Sequence, residues 1–486
     1  MNYISITTQQ RAQMLKRVGV GSVNDLYADI PESVKLKGAP NVEGGMSEID
    51  LSARLKQLAD TNIAAHEYTS FAGAGCYDHY SPAFIDHLLR RPEFFTAYTP
   101  YQPEVSQGTL QAIYEYQTGI CELTGMDVAN ASMYDGATAL VEAAFMALRL
   151  TRGKRKVMLV SEALHPEKLE TMMTYASSEL IEPVFIPFDD NLTTDKEIFA
   201  EALEEYSGQV AAVLLPYPNF FGIVEDIKPL IADAKKAGAY VVLDTNPIML
   251  GLLTRPSDLG ADIVVGEGQP LGNAMSFGGP GLGYFACTQK CVRQLPGRLV
   301  GRTTDVDGNP GYVLTMSTRE QHIRREKATS NICSNHALCA LTAGMYLAAV
   351  GSKGLRDIAL DCITKAHYLR DQLIETGLFY SPVDDSAASG KDQSFGYEFP
   401  LMYSGEKDIF QWHDELFEQG YLAGVVLHPG EKLDTEELDL DPDNPADAEK
   451  IELLKVQEDA FILFAVTEKR TRAEIDAFVQ VVKSLG

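Results

Sequence analysis

The sequence predicts an α/β protein with a mostly parallel sheet at its centre, a helical arm before it and a smaller α+β lobe after it. Three observations predict this. Between about residue 105 and residue 290, short apolar runs alternate with stretches of helical period, the pattern of strands joined by crossover helices. One run, Val210 to Leu215 (VAAVLL), is continuously apolar, as a strand covered on both faces must be. After about residue 340 the alternation stops. A long apolar helix, a polar stretch and well-separated strands follow.

In order along the chain, Thr8 can cap a helix running to about Arg17. Ser47 followed by Asp50 opens a second helix, with Ile49, Leu51, Leu55 and Leu58 mostly on one side. Leu110 to Leu123 and Ala137 to Leu150 read as helices, and Lys156 to Val160 and Val184 to Pro187 as short strands. Val210 to Leu215 is the central strand. Val224 to Ala237 is helical, and Tyr240 to Leu243 and Ile263 to Val265 are further strands. A helix spans about His336 to Ala349, strands cover Tyr397–Phe399 and Ala460–Val466, and Thr471 to Leu485 closes the chain as an amphipathic helix. Asp434 to Asp447 is an acidic loop. The expected divisions are an arm at 1–75, a large α/β domain at 76–340 and a small α+β domain at 341–486.

The 486 residues carry a formal net charge of −27, and no basic stripe is available to neutralise phosphates. That excludes nucleic acid and an anionic membrane surface as partners. The seven Cys are scattered and odd in number, which fits reduced thiols rather than a disulfide framework. The N-terminus lacks a basic-then-apolar signal pattern. The apolar run Ala337 to Gly351 is short for a membrane span and reads as a buried helix. A soluble, cytoplasmic protein without a bound metal is expected.

Four features carry candidate chemistry. In Met133–Ala143 a turn with Gly136 leads into an Ala-rich helix. Its free N–H groups suit a phosphate or carboxylate, or else Asp135 or Thr138 caps them. His165, in Ser161–Pro166, follows a strand and is either a ligand-facing or an ordinary loop histidine. Asn219 and Asp244 lie just past the carboxyl ends of two parallel strands, where α/β sheets bind ligands. A buried Asp there can pair with a protonated pyridine nitrogen or simply cap the turn.

Together these features resemble the aspartate-aminotransferase-like, fold-type I class of pyridoxal-phosphate proteins, with its seven-stranded type of sheet. In that class a turn and helix hold the phosphate, an aromatic residue covers the ring and an Asp meets the ring nitrogen. A Lys further along forms the Schiff base. Here no Lys lies between Asp244 and Lys290. The expected position falls near Gln269 and Pro270, which cannot form an imine, and Lys290 reads as a surface charge.

Longer stretches narrow the resemblance. Phe71–Asp78, Tyr98–Gly108, Gly266–Gly272, Leu295–Gly301 and Thr318–Cys333 are very similar to the P-protein of the glycine cleavage system, and the likeness runs from about residue 4 to residue 486. Length and the missing Lys resemble the subunit-1, or alpha, type. The resemblance implies a Lys-bearing subunit 2 as partner in a two-plus-two heterotetramer with pyridoxal phosphate. It also implies decarboxylation of glycine and transfer of the aminomethyl group to the lipoyl arm of the carrier H-protein.

Within that frame, Tyr98, Tyr101, Gln102 and Glu104 lie on a proline-stiffened loop, which either crosses into the partner's active site or packs structurally. Arg319, His322, Arg324, Arg325 and Lys327 form the densest basic cluster. They receive a carboxylate, a phosphate or the carrier's acidic surface, or else pair locally with Glu320 and Glu326. Gly136, Thr138, His165, Asn219 and Asp244 form a vestigial pocket with no covalently held cofactor. The competing expectations are a free-standing pyridoxal-phosphate decarboxylase or lyase, and a purely structural subunit.

Overall fold

Residues 5–95, 99–178, 180–332, 334–383, 394–407, 409–427 and 461–486 are described in this computed structural model. The chain divides into two units, Met1–Ile63 and Ala64–Gly486. The predicted loop 434–447 and residue 460 of the predicted last strand lie outside the described residues.

The first unit holds helices α1 (Thr8–Val18) and α2 (Glu48–Ala59). Thr7, not Thr8, caps α1. Its hydroxyl accepts from the Gln10 N–H at 3.2 Å, and the Gln10 carboxamide oxygen accepts from the Thr7 N–H at 2.9 Å. This reciprocal box places the cap one residue earlier than predicted. Ser47 caps α2 as predicted, accepting from the Asp50 N–H. None of the unit's described residues is buried, and Ile49, Leu51, Leu55 and Leu58 are exposed.

The second unit is organised by α3 (Gln107–Thr124), α4 (Gly136–Leu150) and a seven-stranded sheet. The strands are β1 (Val128–Ala129), β2 (Val157–Ser161), β3 (Glu182–Ile186), β4 (Val210–Tyr217), β5 (Tyr240–Thr245), β6 (Ile263–Glu267) and β7 (Gly283–Cys287), in spatial order β1-β7-β6-β5-β4-β2-β3. The pairings from β6 through to β3 are parallel. β7 runs antiparallel to both β6 and β1. Crossovers use α4, α5 (Pro166–Ala176), α6 (Lys196–Glu205) and α7 (Lys228–Lys236).

β4 is buried at every position, which is why its sequence shows no alternation. α4 lies against β4, β5, β6 and β7. Its Ala139, Ala143, Ala144 and Ala147 are buried, and their small side chains let the helix approach the sheet closely.

α7 begins later than predicted. Residues 223–225 are held extended by other partners: Ile223 bridges Phe395, the Val224 N–H donates to the Ser394 carbonyl, and the Glu225 carboxylate accepts from the Thr194 N–H. The hairpin β8 (Leu299–Thr304) and β9 (Pro310–Thr315) was not predicted. It is partly exposed, so it lacks a clean apolar face.

α8 (Ala337–Ile374) extends the predicted helix through a break at Gly351 (φ 60°). It is long and apolar enough to cross a membrane by length and composition, yet Cys339, Ala340, Ala343 and Tyr346 pack into the core. A four-stranded sheet follows, from β10 (Phe379–Tyr380), β11 (Glu398–Tyr403), β12 (Val425–Leu427) and β13 (Phe461–Ala465), in order β10-β11-β13-β12. α9 (Ile409–Glu418) and α10 (Arg472–Leu485) complete this region, with Trp412, Phe464 and Phe478 fully enclosed.

Candidate functional site

β2, β4, β5 and β6 all end on one edge of the sheet, and their carboxyl ends bound a crevice. It is lined among others by His165, Lys168, Asn219, Asp244, Glu267, Pro270 and Glu398. Its free volume is about 80 Å³.

Asp244, 8% exposed at the end of β5, does not wait for a ligand. Lys168 Nζ donates to both its oxygens, at 2.7 and 2.6 Å. Lys168 lies in the first turn of α5, whose N-cap is His165. His165 Nδ1 accepts from the Glu167 N–H at 3.2 Å, so Nε2 carries the proton and donates to the Ala74 carbonyl at 2.8 Å. Burial pushes the imidazole below its ordinary pKa against the pull of that carbonyl, and Lys168 adds to the lowering. His165 is therefore a neutral brace.

The other predicted crevice residues are also engaged. Asp135 Oδ1 accepts from the Thr138 N–H at 2.7 Å and from its hydroxyl at 2.9 Å. The Gly136 N–H, first in α4, donates to Glu267 Oε2 at 2.9 Å. Asn219 spends both ends of its carboxamide on protein partners. Its nitrogen donates to the Leu192 carbonyl and Glu225, and its oxygen accepts from the Phe221 and Ile223 N–H groups. Gln269 stands at the expected lysine position and bonds the Tyr77 backbone.

Pyridoxal phosphate, which the fold suggests, does not fit these residues. The first N–H of the would-be phosphate helix already faces a carboxylate, the would-be ring Asp already holds an ammonium, neither Gln269 nor Pro270 can form an imine, and the crevice amine of Lys168 is committed to Asp244.

A second constellation lies elsewhere. The Tyr101 hydroxyl accepts from Arg298 Nη2 at 3.0 Å, and the guanidinium carbon is 5.4 Å from the tyrosine ring centroid. Arg298 Nε is 3.5 Å from Glu320, and His322 lies edge-on to Tyr101 at 5.6 Å and 3.7 Å from Glu320. Two clusters far apart in sequence, the 98–104 loop and the basic segment, thus meet on Arg298. Arg298 is 7% exposed, while Tyr101 is 53% exposed. Gln102 and Glu104 are exposed beside it. Tyr98 lies outside the described residues.

The basic cluster is divided. Arg319 is buried and donates to the Met316 and Gly297 carbonyls. His322, Arg324, Arg325 and Lys327 are exposed. Lys290, as predicted, is largely exposed, and pairs with Asp262 at 2.7 Å.

The family described as the glycine cleavage system P-protein matches residues 1–384. The chain belongs to that family. Among P-proteins it is similar to the probable glycine dehydrogenase (decarboxylating) subunit 1 of Geobacillus kaustophilus, at 46% identity over 477 residues, 98% of this chain and 97% of that relative. It is also similar to a crystal structure of glycine decarboxylase (P-protein) of the glycine cleavage system in inhibitor-bound form. That likeness has a TM-score of 0.83 at 38% identity and covers all of both chains. Lactobacillus brevis glutamate decarboxylase shares the fold, with a TM-score of 0.65 at 14% identity over 95% of this chain and 97% of that one. The predicted α/β, fold-type I architecture holds for this P-protein.

Three residues central to these sites escaped the sequence reading as candidates. Lys168 follows His165 by three positions on a helix, a weak cue to a shared face. Glu267 and Arg298 sat inside the quoted family stretches, but nothing in their spacing marked their partners.

Proposed function

We propose that this chain is the lysine-less subunit of a glycine dehydrogenase (decarboxylating) that works only with a Lys-bearing subunit 2. The complex is a cytoplasmic two-plus-two heterotetramer. It decarboxylates glycine with pyridoxal phosphate held by subunit 2, and it passes the aminomethyl group to the lipoyl arm of the carrier H-protein. The observation that carries this reading is the crevice: the fold is kept, while Gln269 and Pro270 stand where an imine-forming lysine belongs.

This chain's contribution is the loop bearing Tyr98, Tyr101, Gln102 and Glu104, which extends toward the partner's site. Arg298 holds Tyr101 by its hydroxyl, and Glu320 neutralises Arg298. The exposed Arg324 and Arg325 offer cations to the carrier's acidic surface, with His322 exposed beside them. Arg319, tied to two backbone carbonyls, supports their segment instead.

The test is reconstitution from separately purified subunits. The chain alone is expected to be colourless, without a borohydride-reducible lysine, and activity is expected on mixing. Tyr101→Phe and Glu104→Gln should lower glycine turnover in assembled complex. Arg324→Ala should raise the KM for the carrier with kcat intact. A yellow, active chain on its own would overturn the reading in favour of a free-standing enzyme. Full activity of both loop variants after reassembly would leave the chain a structural subunit.

A further inference from the structure

The crevice of this chain has not been emptied of charge; it has been filled. The N-terminus of a helix presents unsatisfied N–H groups and partial positive charge, and attracts an anion. At α4 that anion is internal. Glu267 Oε2 accepts from the Gly136 N–H at 2.9 Å, while Oε1 accepts from the Gln269 and Leu282 N–H groups at 2.9 and 2.8 Å. All three partners are donors, which favour the carboxylate form; burial pushes its pKa up against the pull of those N–H groups and of Lys168. Gly136 has no room for a side chain: a Cβ there would lie 2.9 to 3.1 Å from the Glu267 backbone and Cβ. The strand end carrying Glu267 is therefore seated against the helix terminus.

Asp244 presents the converse case. A buried carboxylate requires a paired cation, and Lys168 supplies one through two short bonds. The backbone at Gly75 packs against His165, with a hypothetical Cβ only 2.8 Å from Nε2. The two charged places that could recognise a phosphorylated, protonated pyridine ring, the α4 N-terminus and Asp244, are thus occupied by the chain itself.

We infer that Glu267 and Lys168 are built-in counter-ions. Glu267 takes the place of a phosphate at the α4 N-terminus, and Lys168 that of a cationic ring at Asp244, so this chain's crevice is charge-balanced without a ligand and rejects phosphate and pyridoxal phosphate. A phosphate approaching α4 meets Glu267 already holding the Gly136 N–H and Asp135 already holding that of Thr138. A ring nitrogen approaching Asp244 must displace an ammonium. The inference stands apart from any reach of the Tyr101 loop into a partner subunit.

The full-length chain tests it. Thermal melting is followed in inorganic phosphate against chloride at matched ionic strength, with pyridoxal phosphate binding measured by equilibrium dialysis. Phosphate stabilises most proteins slightly by exclusion from their surfaces, so the wild-type shift is the baseline. Glu267→Ala is expected to melt lower in chloride and to gain a phosphate-dependent rise well above that baseline, with phosphate bound at least tenfold more tightly than by wild type. Lys168→Met with Glu267→Ala is expected to admit pyridoxal phosphate non-covalently. If Glu267→Ala fails to fold in chloride, its recovery on refolding in phosphate supports the inference and failure in both salts counts against it. Stoichiometric uptake of phosphate or pyridoxal phosphate by the wild-type crevice overturns it outright. So does a folded Glu267→Ala with only the baseline response.

Discussion

Glu398 opens β11 with its carboxyl buried. The Tyr77 hydroxyl donates to Oε2 at 2.6 Å and the Ala74 N–H to Oε1 at 2.6 Å, and among the described residues no ion pair reaches it. Burial pushes its pKa from 4.5 up to about 7, against the pull of those two hydrogen bonds. The folded chain keeps this proton up to about pH 7, and the unfolded chain releases it near 4.5. In that window the folded state binds more protons, so stability falls as pH rises. The gap corresponds to about 3 kcal/mol, fully present below pH 4.5 and lost above pH 7. Glu398→Gln keeps the shape with no proton to lose: its oxygen accepts from the Ala74 N–H, and its nitrogen donates to the Tyr77 oxygen. Urea unfolding of both proteins from pH 5 to pH 8 should show the wild type losing about 2.5 kcal/mol relative to the variant across that range. A wild-type-minus-variant difference that stays flat would refute the reasoning. The consequence reaches the crevice, because Ala74 and Tyr77 also bond His165 and Gln269.

Three further outcomes are expected. Burial pushes the Glu468 carboxyl up, but the His79 hydrogen bond at 2.7 Å, the His79 charge and the Tyr80 N–H hold it at about 2. Its contribution is present above pH 4.5 and lost as pH falls toward 2, so acid titration by circular dichroism should show His79→Phe unfolding at higher pH than wild type. Lys168→Met strands a buried carboxylate and should cost roughly 3–5 kcal/mol in urea unfolding, while the double variant with Asp244→Asn should recover most of the loss. Gly222 has φ 79°, and a Cβ there would lie 1.9 Å from the Glu398 carbonyl oxygen. Gly222→Ala should therefore lower the melting temperature strongly, whereas alanine at Gly208, with the same sign of φ and open space around it, should cost only about 1 kcal/mol.

Much of this was legible beforehand where the signal was local. Capping at Ser47 and the buried strand Val210–Tyr217 were readable because the residues that make them lie within a few positions of one another. Element ends that depend on distant partners were not. The start of α7 is set by pairing with residues 394 and 395, and the break in α8 lies at a glycine whose neighbours on both sides look helical.

The candidate sites divide in the same way. The sequence by itself determined that this chain has a fold-type I frame with Gln269 and Pro270 where an imine-forming lysine belongs, because residue identity alone decides whether that position carries an amine. It also singled out the tyrosine loop and the basic segment. Only the tertiary structure decided that Asp244 is held by Lys168 and the α4 N-terminus by Glu267, and that the loop and the basic segment meet on Arg298. Charge complementarity between residues more than seventy positions apart has no signature along the chain. It exists only once the parallel strands bring their carboxyl ends to one edge.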